Sequence, residues 1–128
     1  MKIRCVWEHN GNDSILYADS FIGAFTRGAS KDLAIQKMPS EIKSYLMWKG
    51  DLISDSFEPE IVQEKCSDLT ISDADSDVLF DEERKELSAS EYEDLKALAM
   101  KSARDFLSLY QAIPDKNKSC LPVRVTFY

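Results

Sequence analysis

The chain has 128 residues, 44% of them hydrophobic, and 23 acids against 16 Lys and Arg give a formal net charge of −7. That is enough apolar content to bury a core, yet no apolar run approaches the roughly 20 residues of a bilayer-spanning helix. Met1-Lys2-Ile3-Arg4 is not followed by the apolar block of a signal peptide, so the sequence predicts a soluble, cytoplasmic protein with no membrane partner.

The charge is unevenly spread. Residues 1–50 carry seven bases and five acids (net +2), residues 51–94 three bases and sixteen acids (net −13), and residues 95–128 six bases and two acids (net +4). Neither flank gathers enough Lys and Arg to neutralise many phosphates, and the middle repels them, so direct nucleic-acid binding is disfavoured and a basic protein is the more natural partner. Cys5, Cys66 and Cys120 are odd in number and more than 50 residues apart, forming neither a disulfide framework nor a metal knuckle. They are expected to be reduced, half-buried thiols. A catalytic thiol would need a base, and the one histidine, His9, falls in EHNGND, which reads as a turn.

In chain order, Lys2 to Trp7 and Ser14 to Ala18 are β-branched and aromatic with partial alternation, and the intervening Asn10-Gly11 favours positive φ. The two runs therefore predict a hairpin. A third short strand, Gly23 to Arg27, ends at Gly28. Ser30 opens a helix with Asp32 in its first turn, and Ala34, Ile35, Met38, Ile42, Tyr45 and Leu46 form an apolar stripe at helical spacing. Pro39 lies inside that stripe, so a kink, or a short helix followed by a second, is expected there. Gly50 ends the element, and Glu60 to Lys65 predicts a fourth strand. The fold class is α+β: a small antiparallel sheet in the order β-β-β-α-β with one helix packed on it.

These residues resemble the N-terminal domain of HicB-type antitoxins, in which a hairpin, a glycine-bearing third strand and a helix with a Tyr-Leu pair recur. The matching residues are Tyr17, Gly23, Phe25, Thr26, Gly28, Ser30, Ala34, Ile35, Tyr45 and Leu46, within about the first 65. The resemblance implies a domain that binds and neutralises a small basic ribonuclease toxin. Family members usually add a DNA-binding C-terminal domain, and this chain departs from them there, with no basic recognition helix.

The stretch Asp73-Ala-Asp-Ser-Asp-Val-Leu-Phe-Asp-Glu-Glu-Arg84 raises calcium binding. With Asp73 at loop position 1, Asp75 and Asp77 stand correctly at 3 and 5. Position 6, where a glycine makes the sharp turn, is Val78, and position 12, the bidentate glutamate, is Arg84. The loop fails at both discriminating positions, so residues 67–87 are expected to be a solvated acidic linker, with Val78, Leu79 and Phe80 tacking it onto an apolar surface. No metal or cofactor is expected.

Ser88 and Glu91 form a capping box. Beyond it Tyr92, Leu95, Ala99, Ala103, Phe106, Leu109, Tyr110 and Ile113 mark one helical face, widened by Leu98 and Met100 and ending before Pro114. Such a stripe predicts packing on the first domain or a homodimer contact. Residues 78–128 are also similar, more weakly, to the start of a DinB-like helical bundle, whose members often bind a divalent metal through three histidines on later helices. Those helices and histidines are not in this sequence. Val123 to Tyr128 predicts a terminal strand, and its abrupt end suggests either a fragment of a longer protein or a last strand that joins a sheet edge.

The sequence thus divides into an α+β domain (1–66), an acidic linker (67–87) and a long helix with an extended C-terminal segment (88–128). It contains no catalytic constellation, and the expected function is a non-catalytic protein-interaction module. The alternatives are the N-terminal part of a larger DinB-like protein, or a divalent-metal enzyme using Asp73, Asp75, Asp77 and Asp81.

Overall fold

The computed structural model describes residues 1–53, 56–71 and 75–118. Asp73, Cys120 and the expected terminal strand 123–128 lie outside the described residues. The chain divides into two compact units, 1–85 and 86–128.

The first unit is α+β. Strands β1 (Lys2–His9), β2 (Ser14–Ala18) and β3 (Phe25–Gly28) precede helix α1 (Lys31–Lys49), and β4 (Glu58–Cys66) follows it. The sheet order is β3-β2-β1-β4. The β1–β2 hairpin closes through Asn10, whose Oδ1 accepts from the amides of Asn12 and Asp13 at 3.0 and 2.9 Å, with Gly11 at φ 88°.

The sheet is mixed rather than antiparallel, because β4 runs parallel to β1. Two antiparallel steps, β1 to β2 and β2 to β3, leave β3 pointing the same way as β1. Helix α1 then carries the chain back to the end where β3 began, so the strand after it must repeat that direction, as any strand-helix-strand crossover does. The short runs in the sequence predict strands; it is the long crossover that dictates parallel pairing.

The β1–β4 ladder contains a bulge. Cys5 stands opposite Ile61, whereas the next residue, Val6, stands opposite Gln63, which leaves Val62 as the extra residue. The hydrogen bonds agree: the Glu58 amide donates to Met1 O at 2.9 Å and the Ser67 amide to His9 O at 2.8 Å. An odd interval between two amides that face the same neighbour closes only with one inserted residue. The bulge also swaps the phase of the side chains, so that Gln63 and Lys65 join Val6 and Glu8 on the face away from α1.

Helix α1 is capped as its sequence predicts. Ser30 Oγ accepts from the Leu33 amide at 3.3 Å, and Gly50, at φ 85°, donates to Leu46 O at 2.9 Å. Its apolar stripe covers one face of the sheet, where Ile3, Cys5, Leu16, Ala18 and Ala24 meet Ala34, Met38, Ile42 and Leu46, with Phe57 closing the edge. The helix is continuous through Pro39, so the expected division into two helices does not occur. Proline costs about 3 kcal/mol in a helix interior, whereas fully burying Ile42 and Leu46, which follow it, contributes about 1.5–3 kcal/mol each. Burial wins, and the stripe is buried only if the helix continues.

The β3–α1 junction is tight. Thr26 Oγ1 donates to Ala34 O at 2.7 Å, inside the protein. A methyl on Gly28 would stand 2.8 Å from Leu33 Cβ and 3.0 Å from the Ala34 nitrogen, closer than packed atoms sit, so only glycine lets helix and strand approach here.

The second unit contains α2 (Ala89–Ala112). Ser88 Oγ accepts from the Glu91 amide at 3.2 Å, and the Glu91 carboxylate accepts from the Ser88 amide at 2.8 Å, which is the predicted capping box. None of its 24 residues is buried. Among the described residues no helix is long and apolar enough to cross a membrane.

Candidate interaction face

Period-two alternation sends Ile3, Cys5 and Trp7 toward α1 and Arg4, Val6 and Glu8 to the opposite face. On that second face Ile15 and Tyr17 of β2 lie beside Glu8 and Val6, and Gln63 and Lys65 of β4 flank them on the other side. A sheet face bearing Val6 and Ile15 needs a cover, and both are buried, as is Ile71. The cover is the acidic segment, which crosses this face.

Its anchor is Glu8, a carboxylate with no solvent exposure. Ser76 Oγ donates to Glu8 Oε1 at 2.6 Å and the Asp77 amide donates to Oε2 at 3.0 Å. A buried carboxylate is tolerated only when donors replace its water, and here the strap itself supplies them. Gln63 adds a second clamp: its Nε2 donates to Leu79 O at 2.9 Å while its Oε1 accepts from the Asp81 amide at 2.9 Å. The side-chain amide thereby pairs with backbone as a neighbouring strand would. Within the Gln63 clamp the Phe80 ring lies 5.3 Å from that of Tyr17, so the expected tacking by this apolar trio is made through Phe80, while Leu79 stays exposed.

Charge surrounds these anchors. Arg4 Nε is 3.1 Å from Asp19 and its Nη2 is 3.5 Å from Glu82, and Arg4 is in register with Glu60. Glu60 also lies 3.5 Å from Lys2, and Asp77 lies 3.8 Å from Lys65. A single turn of 3-10 helix, Asp81–Arg84, adds Asp81, Glu82 and Glu83. Lys85 holds the Glu82 carboxyl below its ordinary range by hydrogen bonding and charge. Along β4 and the strap, Lys65, Arg84 and Lys85 are outnumbered by Glu58, Glu60, Asp75, Asp77, Asp81, Glu82 and Glu83, so these two segments present a net acidic side, bordered by Lys2 and Arg4 of β1 and Arg27 of β3.

Of the carboxylates singled out from the sequence, Asp75, Asp77 and Asp81 lie among the described residues, and they do not form a group that could hold a metal ion. The Asp77 and Asp81 side chains lie near Lys65 and Arg84, and among the described residues no group of three His, Cys, Asp or Glu is placed to hold a metal ion. His9 ends β1 rather than lying in the turn. Its Nε2 is 2.8 Å from Glu64, its ring stacks on Trp7 at 3.9 Å between centroids, and it stands in register with the exposed Cys66. Glu8 is the residue the sequence reading missed. The available signal was Val6, an apolar residue on the face that a two-layer sheet leaves wet.

Cys5 is fully buried, and burial pushes its thiol from 9.0 up to about 11. Because the thiol form is favoured by folding, this contribution is complete below pH 9 and is lost as pH rises toward 11. It amounts to as much as about 3 kcal/mol. Burial also raises Tyr17 and Tyr45 from 10.0, so in urea titrations the stability of Cys5→Ala should begin to fall about one pH unit later than that of the native chain. An unchanged onset would refute the assignment.

Compared with family models, with curated proteins and with solved structures, the chain matches none.

Proposed function

We propose that this chain is a non-catalytic protein-interaction module, resembling the toxin-binding domain of HicB-type antitoxins, whose partner is a small basic protein. The observation that carries this reading is the acidic side formed by β4 and the strap. Its carboxylates are held on ordered backbone, and a fixed negative field of this kind steers and selects a positive partner. Several residues of the resemblance have structural tasks. Thr26, Gly28, Ser30 and Ala34 build the β3–α1 junction, while Tyr17 supports the strap and Leu46 closes the core.

The test is affinity capture by the intact chain from a lysate of its own cells, beside a neutralised variant carrying Glu60→Gln, Asp81→Asn, Glu82→Gln and Glu83→Gln. A discrete basic protein should be retained at low salt and released near 1 M, where the Debye length falls to about 3 Å. The neutralised variant should retain at least about tenfold less. Equal retention by both chains would overturn the reading.

A further inference from the structure

The surface that this reading leaves unused is α2. Tyr92, Leu95, Ala99, Ser102, Phe106, Leu109 and Ile113 alternate at spacings of three and four along the helix and the residue after it. That spacing averages 3.5 residues, which suits a helix that packs along another helix. Phe106 is 71% exposed and Leu109 66%. A contiguous exposed apolar stripe of this kind marks an interaction surface, so it calls for an apolar neighbour.

We propose that α2 pairs antiparallel with α2 of a second copy of this chain. Side-chain size decides the direction. In a parallel pair each position meets itself, so Ala99 and Ser102 would form two thin layers beside a thick layer of paired Phe106. In an antiparallel pair Ala99 packs against the partner's Leu109, Ser102 against the partner's Phe106, and Leu95 against the partner's Ile113. Every small side chain then faces a large one, which is how dense cores are filled.

Charge selects the same direction. Glu91, Glu93 and Asp94 crowd the start of the helix. At its other end Lys116 folds back, its Nζ 3.1 Å from Ile113 O and 5.4 Å from the Tyr110 ring centroid, with Lys118 close behind in sequence. Parallel pairing sets the acidic turns side by side, whereas antiparallel pairing sets each against a partner segment in which Lys116 and Lys118 outnumber Asp115. Tyr92, Leu95, Phe106, Leu109, Tyr110 and Ile113 bring an area on the order of 800 Å² per copy, the size of a standard specific interface. This inference does not rest on the acidic side of the first unit or on its basic partner.

Sedimentation equilibrium of the full chain, with and without Phe106→Glu, tests the association. The native chain should be a dimer at roughly 100 μM, well above the micromolar Kd at the weak end for such an area, and Phe106→Glu should weaken it by about 100-fold or more. Emission from Trp7 and Trp48, both in the first unit, should not change. Spin labels at Ser90→Cys, in a Cys66→Ser and Cys120→Ser background, test the direction. Antiparallel pairing in this register places them roughly 40 Å apart at 1.5 Å per residue, and parallel pairing roughly 10 Å apart. A monomer at 100 μM, an undiminished Phe106→Glu dimer or the short distance would each overturn the proposal.

Discussion

Replacing Leu16 by alanine is expected to lower the stability of the first unit by about 2–5 kcal/mol. Leu16 has no solvent exposure and stands in a central strand against the α1 stripe. The substitution removes three carbons and leaves a cavity that Met38 and Ile42, both fully buried, can refill only in part. A domain of this size has about 5–10 kcal/mol to lose, so the variant should approach the folding threshold, with Tm lowered by roughly 10–30 °C. Tryptophan emission is the appropriate readout, because both tryptophans lie in the first unit. A loss under about 1 kcal/mol would mean that the α1–sheet layer is not the core.

The second large effect is expected at Glu8, and it depends on the replacement. Glu8→Leu removes both acceptors and leaves the Asp77 amide and Ser76 hydroxyl of the strap without a partner. Hydrogen bonds to a charged acceptor contribute about 1.5–3 kcal/mol each, and the relief from burying a charge offsets part of that. The net expectation is about 2 kcal/mol against the strap, seen as roughly 30-fold faster exchange at the Asp77 amide. Glu8→Gln should be much milder. Its carbonyl oxygen can accept from the Asp77 amide while its NH2 donates to Ser76 Oγ, whose own proton is free to rotate. Equal effects from the two variants would mean that the strap is held by the Gln63 clamp and Phe80 rather than by the carboxylate.

Much of the first layer is legible in the sequence. The hairpin, the Ser30 cap, the αL role of Gly50 and the α1 stripe all follow from local rules, and each is where those rules place it. The capping box of α2 is equally local. What local rules did not supply is global. The parallel direction of β4 follows from counting reversals along the chain, and the unbroken helix through Pro39 follows from weighing one lost hydrogen bond against the two buried side chains beyond it. The Val62 bulge has no sequence signature, yet it decides that Gln63 faces the strap. Glu8 reads as an ordinary exposed acid until Ser76 and Asp77, nearly 70 residues away, arrive to replace its water.

The acidic stretch shows the same division between local pattern and distant partner. Its failure as a calcium loop is visible at Val78 and Arg84. Its role as the cover of the second sheet face is not, because that role depends on Val6, Ile15 and Tyr17 being left bare by a single-helix layer. Charge segregation along the sequence nevertheless carries into space: the middle of the chain supplies both the β4 edge and the strap that crosses beside it.

Hydrogen exchange on the intact chain, alone and in complex with the protein it captures at low salt, checks whether the acidic side docks a basic protein as proposed. Exchange should slow along β4 and residues 75–85 in the complex, and that protection should disappear near 1 M salt. Protection confined to α1 or α2, with β4 and the strap exchanging as in the free chain, would contradict the proposal.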